Sequence, residues 1–490
     1  MSILRHSAWA AAAAIVLTAA RFFFAGILAR RLSITDFGQY AYGQWLTDFT
    51  FMVCSLGAMG AISRYVAEFR HDPGLLAAVV RRWRPFAFGL PWLAATVVPC
   101  AAWLLAVSLD GQGLVVLSLL TLASGLWAMQ TAALSGMQRF DLVCGGSVVA
   151  AVVLIGGGLL VPLDTNGPSR VFGLMALASG SAAVVGYGAT RRLLEAPRSV
   201  ISPAQWQGIR AYAINMWLAA LLWNLVWSRG EMPIVRAYLG DDGVAHYATA
   251  MILFGGAIQG VMLASGGVAP QLTRLWGEGG RDQAVALART VMDVQLLVCG
   301  VAAVLLIDLG PELMQLAFGA GFRADAGILA VLSVGLIAMT VSCQNHLLQI
   351  ATDGRFSRDA TLGGLLALMG SAAVLVSTAG LFGAAIARAG TMVLMAGVSL
   401  WCVRRRWGAA AYSSRNVAAV LAVVTLSLAV QPQVVHLTWM VRAGLAILAT
   451  GVLTVTVRDA GGRMQATVIV QRIRRGLWPV TALAAETDQR

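Results

Sequence analysis

Residues 21–70 read RFFFAGILARRLSITDFGQYAYGQWLTDFTFMVCSLGAMGAISRYVAEFR, which predicts a hairpin of two apolar helices followed by a basic exit. The turn between the helices lies near Ser33. Arg21 and Asp48 lie inside the two apolar runs, at similar distances from that turn. Because the rise per residue of a helix is fixed, an antiparallel pair places both charges at similar depth. Charges inside apolar runs are costly, so both residues are candidates for function.

The composition indicates a membrane protein. The chain has 490 residues, of which 59% are hydrophobic and 12% charged, and its mean hydropathy is +0.77. Soluble domains carry about a quarter charged residues. Many of the apolar segments reach the length of about 20 residues that crosses a bilayer. We therefore predict an all-α, polytopic membrane protein with about 14 transmembrane helices.

The basic residues predict the orientation of the chain. The net charge is +13, and all 35 basic residues are arginines. They are concentrated in alternate loops, as the positive-inside rule requires, so both termini are predicted to be cytoplasmic. This distribution explains the charge without a nucleic-acid partner, and we expect none. A chain without lysine also has no P-loop for ATP hydrolysis.

The motifs of common enzymes and metal sites are absent from the sequence. It contains no HExxH and no GxSxG, and its six cysteines are scattered singly without a CxxC pair. We therefore predict that the protein is not an enzyme, with no catalytic residue, no metal site and no cofactor.

An internal repeat organises the chain. LARRLSITDFGQYA at residues 28–41 resembles VRAYLGDDGVAHYA at residues 235–248, and SGMQRFD at 135–141 has a counterpart in ATDGRFSRD at 351–359. This similarity predicts that spans one to six are repeated as spans seven to twelve in the same orientation. The predicted parts are an N-terminal six-helix bundle at residues 1–195, a second six-helix bundle at 196–410, two additional transmembrane helices at 411–457 and a cytoplasmic amphipathic tail at 458–490.

Three arginines inside or near the predicted spans are candidates for binding an anion. Arg21 and Arg229 occupy near-equivalent places in the two halves. Arginine suits phosphate because its planar fork matches phosphate oxygens and keeps its charge when desolvated. The alternatives are an ion pair between Arg21 and Asp48 that only joins two helices, and snorkelling of Arg229 to the outer interface. The same two interpretations, cavity-facing or snorkelling, apply to Arg388.

Other polar groups are candidates for coupling transport to an ion. Histidines inside spans can titrate near neutral pH, although a packing histidine is the alternative. The predicted ion-coupling residues are Asp48, Glu231, His246 and His346, and the predicted substrate-binding residues are Arg21, Arg229, Arg388 and Asn345, the last beside His346.

Five segments together resemble the polysaccharide (O-antigen/exopolysaccharide, Wzx-type) flippases of the multidrug/oligosaccharidyl-lipid/polysaccharide (MOP) exporter superfamily. They are TDFGQYA at 35–41, SLGAMGAISRYVAE at 55–68, SGMQRF at 135–140, EMPIVRAYLGDDGVAHYATA at 231–250 and GLFGAAIA at 380–387. The resemblance implies a V-shaped pair of six-helix bundles in the bacterial inner membrane that alternates between inward-open and outward-open forms. Its implied substrate is an undecaprenyl-pyrophosphate-linked oligosaccharide. The implied partners are membrane lipids, a polysaccharide polymerase and other assembly proteins. Glu231 lies where that family often carries an acidic residue.

Two other functions stay open at this point. One is a cation-coupled multidrug exporter of the same superfamily, which needs an acidic residue in its cavity; Asp48 and Glu231 are the candidates. Such exporters usually have twelve spans. The other is a non-transporting membrane scaffold of polysaccharide synthesis, which would gain nothing from charges buried in both halves.

Overall fold

A computed structural model describes residues 3–69, 72–105, 109–162, 167–194, 201–265, 268–352, 354–408, 412–434 and 436–457, and every regular element within these ranges is helical. The predicted all-α class is therefore confirmed. The predicted tail at residues 458–490 lies outside the described residues. The α-helices are α1 (Ile3–Arg31), α2 (Ile34–Cys54), α3 (Ala58–Glu68), α4 (Pro73–Leu104), α5 (Gly111–Gly136), α6 (Phe140–Leu160), α7 (Gly167–Leu194), α8 (Pro203–Asn224), α9 (Met232–Ser265), α10 (Val268–Gly277), α11 (Arg281–Asp308), α12 (Gly310–Phe318), α13 (Ala326–Val334), α14 (Ser342–Ala351), α15 (Arg355–Trp407), α16 (Ser414–Val434) and α17 (Trp439–Thr456).

Within the described residues, 11 helical segments are long and apolar enough to cross a membrane, or up to 12 if the bent pair of α2 and α3 counts as one span. Two of the segments are 58 and 53 residues long, more than twice the length of about 20 residues that a bilayer requires. Each is interrupted by a glycine with a positive φ, 68° at Gly240 in α9 and 58° at Gly380 in α15. Dividing both at these glycines would give the predicted number of 14 spans, which stays a prediction.

The chain divides into two compact units, Met1–Ala248 and Thr249–Arg490. Unit 1 contains α1 to α8, a π-helical turn (Leu225–Arg229) and the first part of α9. Unit 2 contains the rest of α9, the helices α10 to α17 and two 3-10 segments, Ala320–Asp325 and Gly335–Val341. The predicted boundaries at residues 195, 410 and 457 separate the two six-helix bundles, the two additional helices and the tail. These boundaries stay predictions.

In unit 1, α5 packs against α4 and α7, while α6 packs against α1 and α7. The helix α2 begins after Ser33, whose hydroxyl oxygen accepts a hydrogen bond of 3.1 Å from the backbone N–H of Asp36. The same hydroxyl donates to the Asp36 carboxylate at 2.7 Å. This N-cap starts α2 shortly after α1 ends at Arg31, which gives the short turn that the sequence predicts near Ser33.

The second predicted span is broken between α2 and α3, which meet at an angle of 59°. The backbone at the break has positive φ at Leu56 (46°) and Gly57 (74°). A Cβ atom on Gly57 would lie 1.9 Å from the carbonyl oxygen of Ala213 in α8, so only glycine fits at this crossing. The indole N–H of Trp217 donates to the carbonyl oxygens of residues 52 and 53 at 3.2 and 3.1 Å. It thereby adds a donor at the end of α2, where the Met52 carbonyl oxygen also accepts from Ser55.

The two similar sequence segments touch each other inside unit 1. The Thr35 hydroxyl donates a hydrogen bond of 2.6 Å to the Asp242 carboxylate across 207 residues of sequence. Gly38 lies against the backbone of Asp241, where a Cβ atom would come within 1.9 Å of its carbonyl oxygen. Thr35 and Asp242 hold equivalent positions in the segments 28–41 and 235–248, so the contact joins corresponding places of the repeat.

In unit 2, α11 packs against α13, α16, α17 and the 3-10 segment Gly335–Val341. Two polar contacts tie the last two helices to the rest of this unit. The Asn416 amide of α16 donates to the Asp293 carboxylate of α11 at 2.8 Å, and both side chains are buried. Arg442 of α17 forms an ion pair with Glu312 of α12.

Candidate functional site

A cavity of about 580 Å³, including the space open to solvent, lies within unit 1 among α1, α2, α5, α6 and α7. It is lined by Arg21 on α1 and by Tyr40, Gln44, Thr47 and Asp48 on α2. The hairpin predicted from the sequence therefore brings Arg21 and Asp48 to one cavity.

Helical periodicity explains how α2 presents its polar groups. Tyr40, Gln44, Thr47 and Asp48 are spaced by four, three and one residues, so they share one face of a helix. The rest of α2 is largely apolar and packs against α4, α5 and α7. A polar face on an apolar helix inside a bundle has to meet water or a polar ligand. In this unit that face meets the cavity.

The charged groups of the cavity are accessible, although they lie within apolar spans. Arg21 and Asp48 are both exposed. No ion pair joins Arg21 to Asp48 among the contacts of the described residues, although each charge is within electrostatic range of the other. Both groups therefore remain available to a ligand in the cavity.

Arg229 does not line the cavity, but its positive charge acts on two residues that do. It is half-buried, and its charge is within electrostatic range of Asp48 and Tyr40. It ends the π-helical turn Leu225–Arg229, and a Cβ atom on the next residue, Gly230, would lie 2.1 Å from the carbonyl oxygen of Leu225. Isolated π-helical turns inside α-helices are frequent at functional sites.

Hydroxyl groups extend the polar lining beyond the charges. Ser124 on α5 and Ser179 on α7 both line the cavity, and their hydroxyl oxygens are 3.2 Å apart in a hydrogen bond. The Thr121 hydroxyl donates to that of Thr47 at 3.4 Å. Interpretation of the sequence missed Tyr40 and these hydroxyls as site residues. The spacing along α2 was a usable signal, whereas Ser124 and Ser179 carried none, because they approach each other only through the packing of α5 on α7.

Glu231 occupies a different environment in unit 1. Its carboxylate accepts a hydrogen bond of 2.5 Å from the Tyr247 hydroxyl, and neither side chain is exposed to solvent. The neighbouring His246 is half-buried. Glu231 follows Arg229 by two residues but is fully enclosed, so the structure separates this acid from the exposed lining of the cavity.

The remaining predicted site residues belong to unit 2. Arg388 is 1% exposed on α15. The Asn345 side-chain oxygen on α14 is buried and has no hydrogen-bond partner among the described residues. The neighbouring His346 ring nitrogen Nε2 lies 3.0 Å from the Thr273 hydroxyl of α10, which is a contact between packed helices. The roles predicted for all these residues stay predictions.

Within the described residues, no group of three or more histidine, cysteine, aspartate or glutamate side chains is arranged to hold a metal ion. The six cysteines are all free thiols. The polar lining of the unit 1 cavity therefore consists of one guanidinium group, one carboxylate, one phenol and neutral hydroxyl and amide groups. The charge of Arg229 acts on this lining from outside it, within electrostatic range of Asp48 and Tyr40.

Comparisons with known proteins give the fold and not the family. No family model matches the chain, and no curated protein matches it in sequence. Among solved structures, the chain is similar to the lipid II flippase MurJ in an inward closed conformation, with a TM-score of 0.70 and 12% identity, covering 94% of this chain and 99% of that one.

Two further structures of the MOP superfamily are similar. One is an inward-facing multidrug resistance transporter of the MATE family, with a TM-score of 0.65 and 15% identity, covering 84% of this chain and 96% of that one. The other is a transporter from Pyrococcus furiosus Vc1 (DSM3638), with a TM-score of 0.59 and 15% identity, covering 83% of this chain and 96% of that one. The chain therefore has the fold of MOP superfamily transporters, in which many apolar helices cross the membrane.

Proposed function

We propose that this protein is a transporter that moves an undecaprenyl-pyrophosphate-linked oligosaccharide from the cytoplasmic to the outer leaflet of the bacterial inner membrane. The observation that carries the proposal is the cavity in unit 1, which Arg21 and Asp48 line among apolar spans, with the charge of Arg229 in electrostatic range of Asp48. Its fold is that of transporters that include a lipid II flippase.

The cavity chemistry suits the head of such a lipid. A pyrophosphate carries negative charges on oxygens that the planar guanidinium group binds through paired hydrogen bonds. Sugars present many hydroxyl groups, which match the hydroxyl and amide side chains of Tyr40, Gln44, Ser124 and Ser179. The isoprenoid tail would remain in the lipid.

The role proposed for Asp48 is to balance the two arginines in the absence of substrate. The Arg21 and Arg229 guanidinium groups are both within electrostatic range of Asp48, whose negative charge offsets part of their positive charge. An incoming phosphate takes over the same positive charges. Asp48 would therefore compete with the substrate and assist its release.

The proposed energy source is the membrane potential. Moving one negative charge outward, down an inside-negative potential, releases about 2.3 kcal/mol per 100 mV. A pyrophosphate therefore gains several kcal/mol without ATP. Proteoliposomes with and without an imposed potential test this proposal, and equal transport in both would refute it.

The proposed orientation places both termini in the cytoplasm, as the distribution of arginines predicts. The proposed partners are the lipid-linked substrate, the surrounding lipids, a polysaccharide polymerase and other assembly proteins. Cysteines introduced singly into loops and labelled from outside the cell test the orientation. The unmodified chain needs its own cysteines replaced for this experiment, because Cys100 is exposed.

The decisive experiment is a deletion of the gene in its host. We expect loss of surface polysaccharide together with lipid-linked sugar trapped on the inner leaflet, because synthesis continues while translocation stops. Restoration by the intact gene, but not by a gene with both Arg21→Ala and Arg229→Ala, would link the defect to the cavity. Unchanged polysaccharide would refute the proposal.

A cation-coupled multidrug exporter is the second candidate, and the buried Glu231–Tyr247 pair favours it. An enclosed carboxyl group with one hydrogen-bond donor is suited to binding a proton or a dehydrated cation. The same deletion distinguishes the two functions. Intact polysaccharide with new sensitivity to dyes and drugs would support the exporter.

A further inference from the structure

An apolar groove lies on the surface of unit 1 between α4, α5 and α7, away from the polar cavity. Its volume is about 930 Å³, including open space. The small residues Ala176, Gly180 and Ala183 of α7 contribute to its lining, together with Phe88 of α4 and Leu119 and Leu126 of α5. Ala176, Gly180 and Ala183 are spaced by four and three residues, so they share one helix face.

The position of the groove within the candidate membrane spans indicates what kind of molecule fills it. All the residues that line it belong to the candidate membrane spans Arg81–Leu104, Gly111–Gly136 and Gly167–Gly188. A groove of this kind in a bilayer is filled by hydrocarbon chains. Its size and its apolar lining therefore fit the acyl chains of a lipid.

Arginines beyond one end of the groove indicate that the bound lipid is anionic. Tyr187 lines the groove near the end of α7, and Arg191 follows it by four residues on the same helix face. Phe88 lines the groove on α4, and Arg81 lies seven residues before it, toward the start of that helix. The groove therefore leads toward an arginine on each of two helices. Anionic head groups are attracted to such sites, by about 1 kcal/mol for each basic residue near the surface.

A polar group inside the groove favours a phospholipid over an isoprenoid lipid. Gln130 lines the groove about 9 Å before the end of α5, given the rise of a helix. Its side-chain oxygen is buried and has no hydrogen-bond partner among the described residues. At this depth a phospholipid carries its glycerol backbone and ester groups, whereas an isoprenoid phosphate is already pure hydrocarbon. Ester oxygens accept hydrogen bonds, so they can pair with the Gln130 amide N–H, whereas an isoprenoid chain offers no polar partner.

We propose that this groove binds an anionic phospholipid, with an acyl chain along α5 and α7 and the phosphate between Arg81 and Arg191. The site is separate from the cavity of Arg21 and Asp48, and the proposal holds whichever substrate the protein transports.

Native mass spectrometry of the purified full-length protein tests the site. The protein is titrated with phosphatidylglycerol and with phosphatidylcholine of the same acyl chains. We expect one phosphatidylglycerol to bind more tightly than phosphatidylcholine. The variant Gly180→Leu fills the groove, because nothing lies within 4 Å of a Cβ atom at this position. We expect this variant to lose the tightly bound lipid.

Gly156→Leu on α6 is the matched control. A Cβ atom at Gly156 also meets nothing within 4 Å, but this glycine does not line the groove. It should retain the bound phosphatidylglycerol. Both variants are first compared with the original protein in elution profile and melting temperature, so that a folding defect is recognised.

Arg191→Gln tests the charge. We expect its affinity for phosphatidylglycerol to fall roughly five-fold while its affinity for phosphatidylcholine stays unchanged. Equal binding of the two lipids to the original protein would overturn the proposal, and so would unchanged binding in Gly180→Leu. Tighter binding of undecaprenyl phosphate than of phosphatidylglycerol would also overturn it, in favour of an isoprenoid site.

Discussion

Tyr247 donates a hydrogen bond of 2.5 Å to Glu231 in a fully buried environment. The first copy of the repeat has an apolar counterpart of this pair. Tyr40 corresponds to Tyr247, and the residue at the same separation before it is Phe24, whose ring meets that of Tyr40 edge-on with centroids 6.3 Å apart. The two copies therefore use one tyrosine position in two ways, against a carboxylate in one and against a ring in the other.

This difference predicts unequal effects of removing the two hydroxyls. Tyr247→Phe removes the hydroxyl that donates to the enclosed Glu231 carboxylate, which should cost about 1–3 kcal/mol of stability. Tyr40→Phe preserves the ring contact with Phe24 and should change stability by less than about 0.5 kcal/mol. Melting temperatures of the two purified variants provide the comparison. Equal losses would show that the hydrogen bond to Glu231 contributes nothing specific.

Removing the charge of Arg21 or of Arg229 should reduce transport strongly without unfolding the protein. Arg21→Ala and Arg229→Ala each remove a charged donor, and we expect transport to fall roughly 10-fold to 100-fold, as for the loss of a hydrogen bond to a charged group. Arg21→Lys should recover only part of the activity, because lysine lacks the planar fork. Complementation of the deletion strain and flipping in proteoliposomes measure this effect.

Arg30→Gln is the control for these variants, because Arg30 is exposed near the end of α1 and does not line the cavity. It should transport normally. Full activity in both Arg21→Ala and Arg229→Ala would refute the anion-binding role of the cavity.

The break between α2 and α3 should tolerate no side chain at Gly57. Gly57→Ala adds a Cβ atom at a positive φ and against the Ala213 carbonyl, so we expect a loss of more than about 2 kcal/mol. Gly60→Ala is the matched control three residues later, where the nearest atom to a Cβ lies at 3.7 Å. It should be neutral or slightly stabilising, because alanine is the better helix former. A melting temperature of Gly57→Ala equal to that of Gly60→Ala would contradict the crossing described for α8.

Arg236 should be more important for stability than any exposed arginine. It pairs with Asp241 at 2.6 Å, with side chains only 10% and 11% exposed, and its guanidinium lies 4.7 Å from the centre of the Tyr42 ring. Arg236→Gln leaves Asp241 without its partner in a nearly enclosed place, which should cost about 3–5 kcal/mol. Arg274→Gln is the control, since its pairing with Glu278 is well exposed and worth about 1 kcal/mol at most. The measurement is again the melting temperature, and similar values for the two variants would refute the prediction.

Much of the fold was predictable because its determinants are local. Apolar length and arginine distribution indicate a helical membrane protein, and the spacing around Ser33 predicts that Arg21 and Asp48 share a depth in one hairpin. The predicted count of 14 spans already implies interruptions near Gly240 and Gly380. The positive φ of these glycines was not predictable, because glycine is common in membrane helices and its presence does not fix a backbone angle.

The sequence indicates the charged residues of the candidate site but not the packing that brings the other residues to it. Arg21 and Asp48 are recognisable because a charge in an apolar run is rare. The position of Arg229 depends on the π-helical turn Leu225–Arg229, which no local pattern specifies. The approach of Ser124 to Ser179 is a product of helix packing, and serine is too common in membrane helices to be informative by itself.

The hydrogen bond between Thr35 and Asp242 joins different residues at corresponding positions of the predicted repeat. A contact between corresponding residues of two copies is the contact that two-fold symmetry places on its axis. In a homodimer of identical chains, the residue at this position would contact its own copy, so that two threonines or two mutually repelling aspartates would meet. A single chain that carries both segments can place a donor at one position and an acceptor at the other. The asymmetry of this pair is therefore open to one continuous chain and closed to a homodimer of identical halves.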